Sequence, residues 1–342
     1  MDHVENVLHV KIGVILMLAK VRSIKTSSET ITTPLIVPAF SSKADPYIQR
    51  ILKFMKEFIV GPILLSAYDV YYKRSIKDTT YPNAIFLDSG GYECSKRFDI
   101  SEVYYLKDKP KKWNIKLYSE VLNFWPHNIP TIAICYDHDK KGISINEQIS
   151  SAKNFFKGES YFLSDILLKP EKNEELSIIE VDSVINQLDS LKDFDIIGFT
   201  EKEIGNSVLD RMNNIAKLRI AMDKADINKP IHIFGSLDPI SAPLYFVSGA
   251  DIFDSLTWIR FSYFKGMAIY QNNYAVLKQY LEYKTARLIS QYYVDNINSL
   301  KSLQMQMKKY ISTGGNFKVF ELNSHPIERA YQALKTRIGE EL

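Results

Sequence analysis

The sequence predicts an α/β protein: a (β/α)8 TIM barrel with an N-terminal strand extension and a C-terminal helical appendage. Three observations carry that expectation. Eight short apolar runs recur along the chain, segments with helical spacing lie between several of them, and more than one run ends abruptly in an aspartate. An open doubly wound sheet would share the alternation. In a barrel the C-terminal strand ends share one mouth, and that is where such folds build their sites.

The first apolar stretch, from Val7 to Val21, is interrupted by His9 and Lys11 and is followed by no small-residue cleavage site. It falls short of the roughly 20 residues a membrane span needs. A buried pair of strands leading into the barrel is expected there, with no membrane contact. The eight strand-like runs follow at residues 34–38, 61–65, 84–87, 131–136, 165–168, 195–199, 231–235 and 251–254. Between them, Ile48, Ile51, Leu52, Met55 and Ile59 fall on one helical face, as do Val208, Met212, Ile215 and Leu218. Asp238-Pro239 reads as the start of another helix, with Asp as cap and Pro in the first turn.

Two segments interrupt the pattern. Residues 89–130 carry a basic and aromatic cluster from Lys107 to Trp113, suited to touching a polyanion or forming a surface excursion. Beyond Phe264 the chain reads as a long helix over 268–311, closed by Thr313-Gly-Gly315, then a short strand and a final helix. The expected division is a catalytic barrel over 1–266 and a helical appendage over 267–342.

At 342 residues, with 46% hydrophobic and 24% charged, the chain belongs to the globular class and leaves no room for long disorder. Cys94 and Cys135 are too few for a disulfide framework and suit a reducing cytoplasm. The six histidines are scattered and no paired ligand spacing occurs, so neither a metal nor another cofactor is expected. Net charge is +3, yet residues 256–342 hold 12 Lys and Arg against 6 Asp and Glu. A basic C-terminal third fits contact with nucleic-acid phosphates or a solvated helical surface.

Residues 84–93 read Ala-Ile-Phe-Leu-Asp-Ser-Gly-Gly-Tyr-Glu, a strand that ends in Asp88. Ser89, Gly90 and Gly91 would let a ligand approach the backbone, and Tyr92 offers a ring on which a planar base can stack. Asp-Ser-Gly-Gly is also a good turn in its own right. A second segment of the same design, Gly249 to Ser255, ends in Asp254, and Asp137 closes a third run.

These segments resemble the tRNA-guanine transglycosylase family, whose barrel carries an Asp-Ser-Gly-Gly-aromatic segment and a later Phe-Asp. Thr32-Thr-Pro-Leu-Ile-Val-Pro38 is similar to the family's opening strand, and Gly61-Pro-Ile-Leu-Leu-Ser-Ala-Tyr68 to its second. His232-Ile-Phe-Gly-Ser-Leu-Asp-Pro239 through Ser255 is similar to its last two strands. The resemblance covers roughly residues 30–266. It implies that Asp254 attacks the anomeric carbon of a guanosine, that guanine leaves, and that a 7-deazaguanine base captures the covalent intermediate. Asp88 would handle the proton, and Asp137 would hydrogen-bond the base edge. Ser89, Gly90, Gly91, Tyr92, Gly198, Phe199, Gly235 and Ser236 would line the base pocket, and Arg260 and Lys265 would meet the polymer backbone.

The chain also departs from that family. The zinc-binding cysteines and histidine have no counterpart, Leu168-Lys169-Pro170 replaces a glycine-flanked glutamine, and Gly198 to Gly205 replaces a small-residue loop. Glu201 and Glu203 in that loop would meet a cationic group on the base or pair with Lys202 or Arg211. Asp254-Ser255 stands where bacterial tRNA enzymes usually have Asp-Cys. The chain thus looks closer to the DNA-modifying branch, with DNA or tRNA as polymer and a homodimer or accompanying modification proteins as partners. A catalytically silent nucleic-acid-binding subunit and an N-glycosidase that releases the base to water are the alternatives.

Overall fold

A computed structural model of the chain describes residues 17–26, 29–73, 81–94, 110–136, 142–158, 161–172 and 177–341. Eight parallel strands close into a barrel: β1 (Leu35–Phe40), β2 (Ile63–Ser66), β3 (Ile85–Asp88), β4 (Thr131–Ile134), β5 (Leu163–Leu168), β6 (Ile196–Thr200), β7 (Ile231–Phe234) and β8 (Ile252–Ser255). Each pairs with its neighbour in sequence, and β8 returns to β1 with Asp254 opposite Val37. The strands are almost wholly apolar because side chains fill the barrel on one face and meet helices on the other.

The helical stripes settle on that outer face. Ile48–Met55 buries Ile48, Ile51 and Met55. Val208–Lys224 starts at a reciprocal cap between Ser207 and Asp210 and buries Met212, Ile215 and Leu218. Val208, expected on the same face, lies at the helix entry and is exposed. Asp238 Oδ1 accepts from the N–H groups of Ile240 and Ser241, so that helix begins at Ser241 and Pro239 lies in the turn before it.

Three expectations for the chain ends are corrected. Met17 to Arg22 is irregular, and the strands come later, at Ser23–Lys25 and Thr30–Thr32; residues 1–16 lie outside the described part. The long helix begins only at Thr285, because Ser262–Phe264 and Met267–Ile269 form a hairpin and a short helix, Gln271–Leu277, follows. Lys265 and Gly266 both have positive φ, the geometry that a two-residue hairpin turn needs. After Gly315 the expected strand is a 3-10 stretch, Phe317–Asn323, leading into Ser324–Glu341.

The C-terminal helices pack directly on the barrel. Asn296, fully buried on Thr285–Ser312, accepts from the Tyr263 N–H (2.6 Å) and donates to the carbonyls of Trp258 and Phe261 (2.7 Å each). On the opposite rim, Asp251 takes Arg22 at 2.7 Å and Arg219 at 2.6 Å, which ties the N-terminal segment beneath the barrel. One apolar cluster runs from the strands through Tyr292, Leu300, Met307 and Leu334.

Candidate active site

β8 lifts Asp254 to the C-terminal rim, where its side chain is only 9% exposed. Its Oδ1 accepts the Gly235 N–H at 3.3 Å and lies 3.2 Å from His232 Nε2. Among the described residues Oδ2 takes no hydrogen bond. Gly235 has φ +81°, and no atom lies within 4 Å of where a Cβ would sit, so open space adjoins the carboxylate's backbone donor. Gly235 thus serves as a donor to the acid beside that opening.

His232 is fully buried inside the barrel on β7 and touches a second carboxylate: Nδ1 lies 2.7 Å from Asp165 Oδ2 on β5. Strand β6 separates the two. Its Gly198 makes the meeting feasible, since a Cβ there would sit 2.9 Å from Asp165 Oδ1 and 2.5 Å from the Phe234 ring. Gly198 is therefore packed within the barrel beneath Phe234. Burial alone would lower the His232 pKa, but the carboxylates of Asp165 and Asp254 outweigh it and hold it up to about 9. Burial raises the Asp165 carboxyl, and the imidazole beside it pulls it back.

Asp88 ends β3 on the same rim, opposite Ser66 of β2, and its Oδ2 accepts the Gly90 N–H at 3.0 Å. Gly90 (φ +86°) lies so close to Tyr68 and Trp113 that a Cβ would approach both at 2.8 Å. The buried Ser89 gives its carbonyl to the Trp113 indole N–H at 2.8 Å. Gly91 opens the short helix that carries Tyr92. The Tyr92 hydroxyl accepts from Arg260 Nη2 at 2.7 Å, while Lys43 Nζ lies 4.2 Å from the ring centre and donates to the Tyr92 carbonyl at 3.0 Å. One face of the ring is thus covered by a cation, which leaves at most the other for a base.

Glu93, buried beside Tyr92, accepts from the Ser41 and Ser66 hydroxyls and ties the first three strand ends together. The remaining expected residues spread out. Ser236 is buried with its hydroxyl lacking a hydrogen-bond partner among the described residues. Phe199 is fully buried and, next to Gly198 on a strand, points to the opposite face from the barrel interior. Arg260 is nearly buried against Tyr92, whereas Lys265 is exposed at the hairpin turn with its ammonium 5.4 Å from the Phe264 ring centre. Asp137, with His138 and Asp139, lies outside the described residues.

The charged loop after β6 pairs internally. Glu201 accepts the Tyr245 hydroxyl at 2.9 Å and lies 3.7 Å from Arg211, and Glu203 meets Lys169 at 3.0 Å. Trp113, expected in a polyanion-touching cluster, is buried among Tyr68, Tyr71 and Tyr72. Of that cluster, residues 107–109 lie outside the described part. His232, Asp165, Lys43 and Glu93 carried no expectation as site residues. For Asp165 and His232 the available signal was polarity within apolar strands, which alone also fits a satisfied core residue.

Comparison with known proteins enters here. No family model matches the chain. It is similar to the tRNA-guanine(15) transglycosylase of Nanoarchaeum equitans (strain Kin4-M), with 24% identity over 269 residues, 71% of this chain and 57% of that protein. The likeness is to a guanine transglycosylase. It supports the transglycosylase superfamily, and the match spans just over half the relative's length. Among the described residues no group of three His, Cys, Asp or Glu side chains is placed to hold a metal ion, and Cys94 and Cys135 are free thiols. The zinc associated with the transglycosylase resemblance therefore finds no donor set there. No described helix is long and apolar enough to cross a membrane.

Proposed function

We propose that this protein exchanges guanine for a 7-deazaguanine base in a nucleic acid, with DNA as the polymer, through a covalent bond between Asp254 and the sugar. The observation that carries the reading is Asp254 itself: a carboxylate on the barrel rim whose Oδ1 is hydrogen-bonded by the Gly235 N–H and lies 3.2 Å from His232 Nε2, and whose Oδ2 takes no hydrogen bond among the described residues. A carboxylate nucleophile splits one difficult displacement into two easier ones. Asp254 forms a bond to C1′ as the C1′–N9 bond breaks, and the electron pair leaves with guanine. Asp88, on the same rim, supplies the proton to the departing base and recovers one from the entering base. Asp137 reads the base edge in this scheme, with Tyr92 stacked against the purine, and Arg260 and Lys265 lie towards the polymer.

The relative's name attaches to tRNA, so tRNA is the competing polymer. DNA is favoured by Ser255 after Asp254, where bacterial tRNA enzymes usually have cysteine, and by the missing counterparts of the family's zinc-binding residues, whereas the pairing of Glu203 with Lys169 and of Glu201 with Arg211 bears on which base is taken. A reducing cytoplasm and a homodimer belong to the same proposal. The test incubates native protein and Asp254→Asn with DNA or tRNA and labelled guanine. Native protein is expected to incorporate label and to form a denaturation-resistant adduct; the variant should do neither. Abasic sites without incorporation would mean hydrolysis, and no reaction with either polymer would sink the proposal. Mass spectrometry of nucleosides from cells with and without the protein identifies the polymer and the inserted base.

A further inference from the structure

We propose that the buried Asp165–His232 pair positions the nucleophile: it sets the Nε2–H edge of its ring against Asp254 Oδ1 as a charge contact and, together with the hydrogen bond from the Gly235 N–H, holds that oxygen so that Oδ2 attacks the sugar. The inference rests on the base-exchange reading. His232 has a carboxylate oxygen at each ring nitrogen: Nδ1 makes a 2.7 Å hydrogen bond to Asp165, while Nε2 lies 3.2 Å from Asp254 Oδ1 as an ion-pair contact outside hydrogen-bond geometry. In this device the proton shared with Asp165 lies on Nδ1, and Nε2 keeps its own hydrogen. The opposite tautomer would set an Nε2 lone pair against Asp254 Oδ1 in a dry interior, where repulsion is strong.

The ring is fixed by stacking on Phe234, with centroids 3.8 Å apart, and by the edge of Phe86 at 5.5 Å. The charged groups bearing on the pair are Asp165 from β5, Asp254 from β8 and, farther off, Asp195, whose carboxylate accepts from the Ser164 N–H and hydroxyl. The net attraction of these acids for a proton agrees with the raised pKa of His232. In the first displacement Asp254 changes from carboxylate to ester, and in the second the entering base restores the carboxylate. His232 transfers no proton in either step. Its Nε2–H edge faces Asp254 before attack and stabilises the carboxylate when it leaves.

Two measurements test the device. In resting native protein, imidazole 15N shifts should show both His232 nitrogens protonated up to about pH 9, and Asp165→Asn should bring that titration down towards about 6.5. In guanine exchange, Asp165→Asn should lower kcat about 100-fold, leave KM for the base within about 2-fold, and move the alkaline limb of the pH profile down. Should that variant fail to fold, His232→Gln, which retains an N–H donor, is expected to keep at least about 10-fold more activity than His232→Leu.

A neutral His232 at pH 7, or a folded Asp165→Asn with native kcat and pH profile, overturns the device. If native protein exchanges no guanine, the functional reading falls separately. The ring spectra then still decide the coupling: Asp254→Asn should lower the His232 pKa, and an unchanged value refutes it.

Discussion

Gly198 shows how one missing side chain arranges a site. Asp165 and His232 lie on strands separated by β6, and they meet because nothing projects from Gly198 between them. Gly198→Ala would press a methyl group against Phe234 and Asp165, which are packed with little freedom to yield. The expected cost is about 1–3 kcal/mol of stability, with exchange activity falling as the pair is displaced. Urea titration and turnover of the folded variant check both effects. Asp88 and Asp254 could be singled out as candidates because two apolar strands of the same design each end in an acid followed by serine. Asp165 and His232 could not, because sequence alternation assigns each to a face without saying which side chains meet across a third strand.

At the level of elements, Thr285–Ser312 is fastened by Asn296, which satisfies one N–H and two carbonyls around the 258–263 turn. Asn296→Ala leaves those groups without their partner and should cost about 3 kcal/mol. A fall in the unfolding midpoint with no change in KM for the base is the expected signature. All eight barrel strands were legible because a fully buried parallel strand is an unbroken apolar run. The region after Phe264 was misread because apolar residues at helical spacing hid the two-residue turn at Lys265-Gly266 and the break at Gln279, where φ is +60°. The strand expected after Gly315 could not extend the main sheet, since a closed barrel offers no free edge.

For the molecule as a whole, His232 links stability to pH. Its folded pKa, about 9, lies above the ordinary value near 6.5, so its contribution is complete below about 6.5. Between those values the unfolded chain releases the proton while the fold keeps it. Stability therefore declines through that window, by up to about 3 kcal/mol, and the contribution is gone above about 9. Urea midpoints of the native protein should fall more steeply from pH 6 to 10 than those of His232→Gln; equal slopes would count against a protonated His232. The return of β8 to β1 also orders events during synthesis. The strand that closes the cylinder is the one that carries Asp254, and its partner emerges from the ribosome more than two hundred residues earlier. A nascent chain can display Asp88 and its glycines, yet Asp254, the proposed nucleophile, takes its place only when the ring is sealed, so no half-made barrel holds the complete pair of acids.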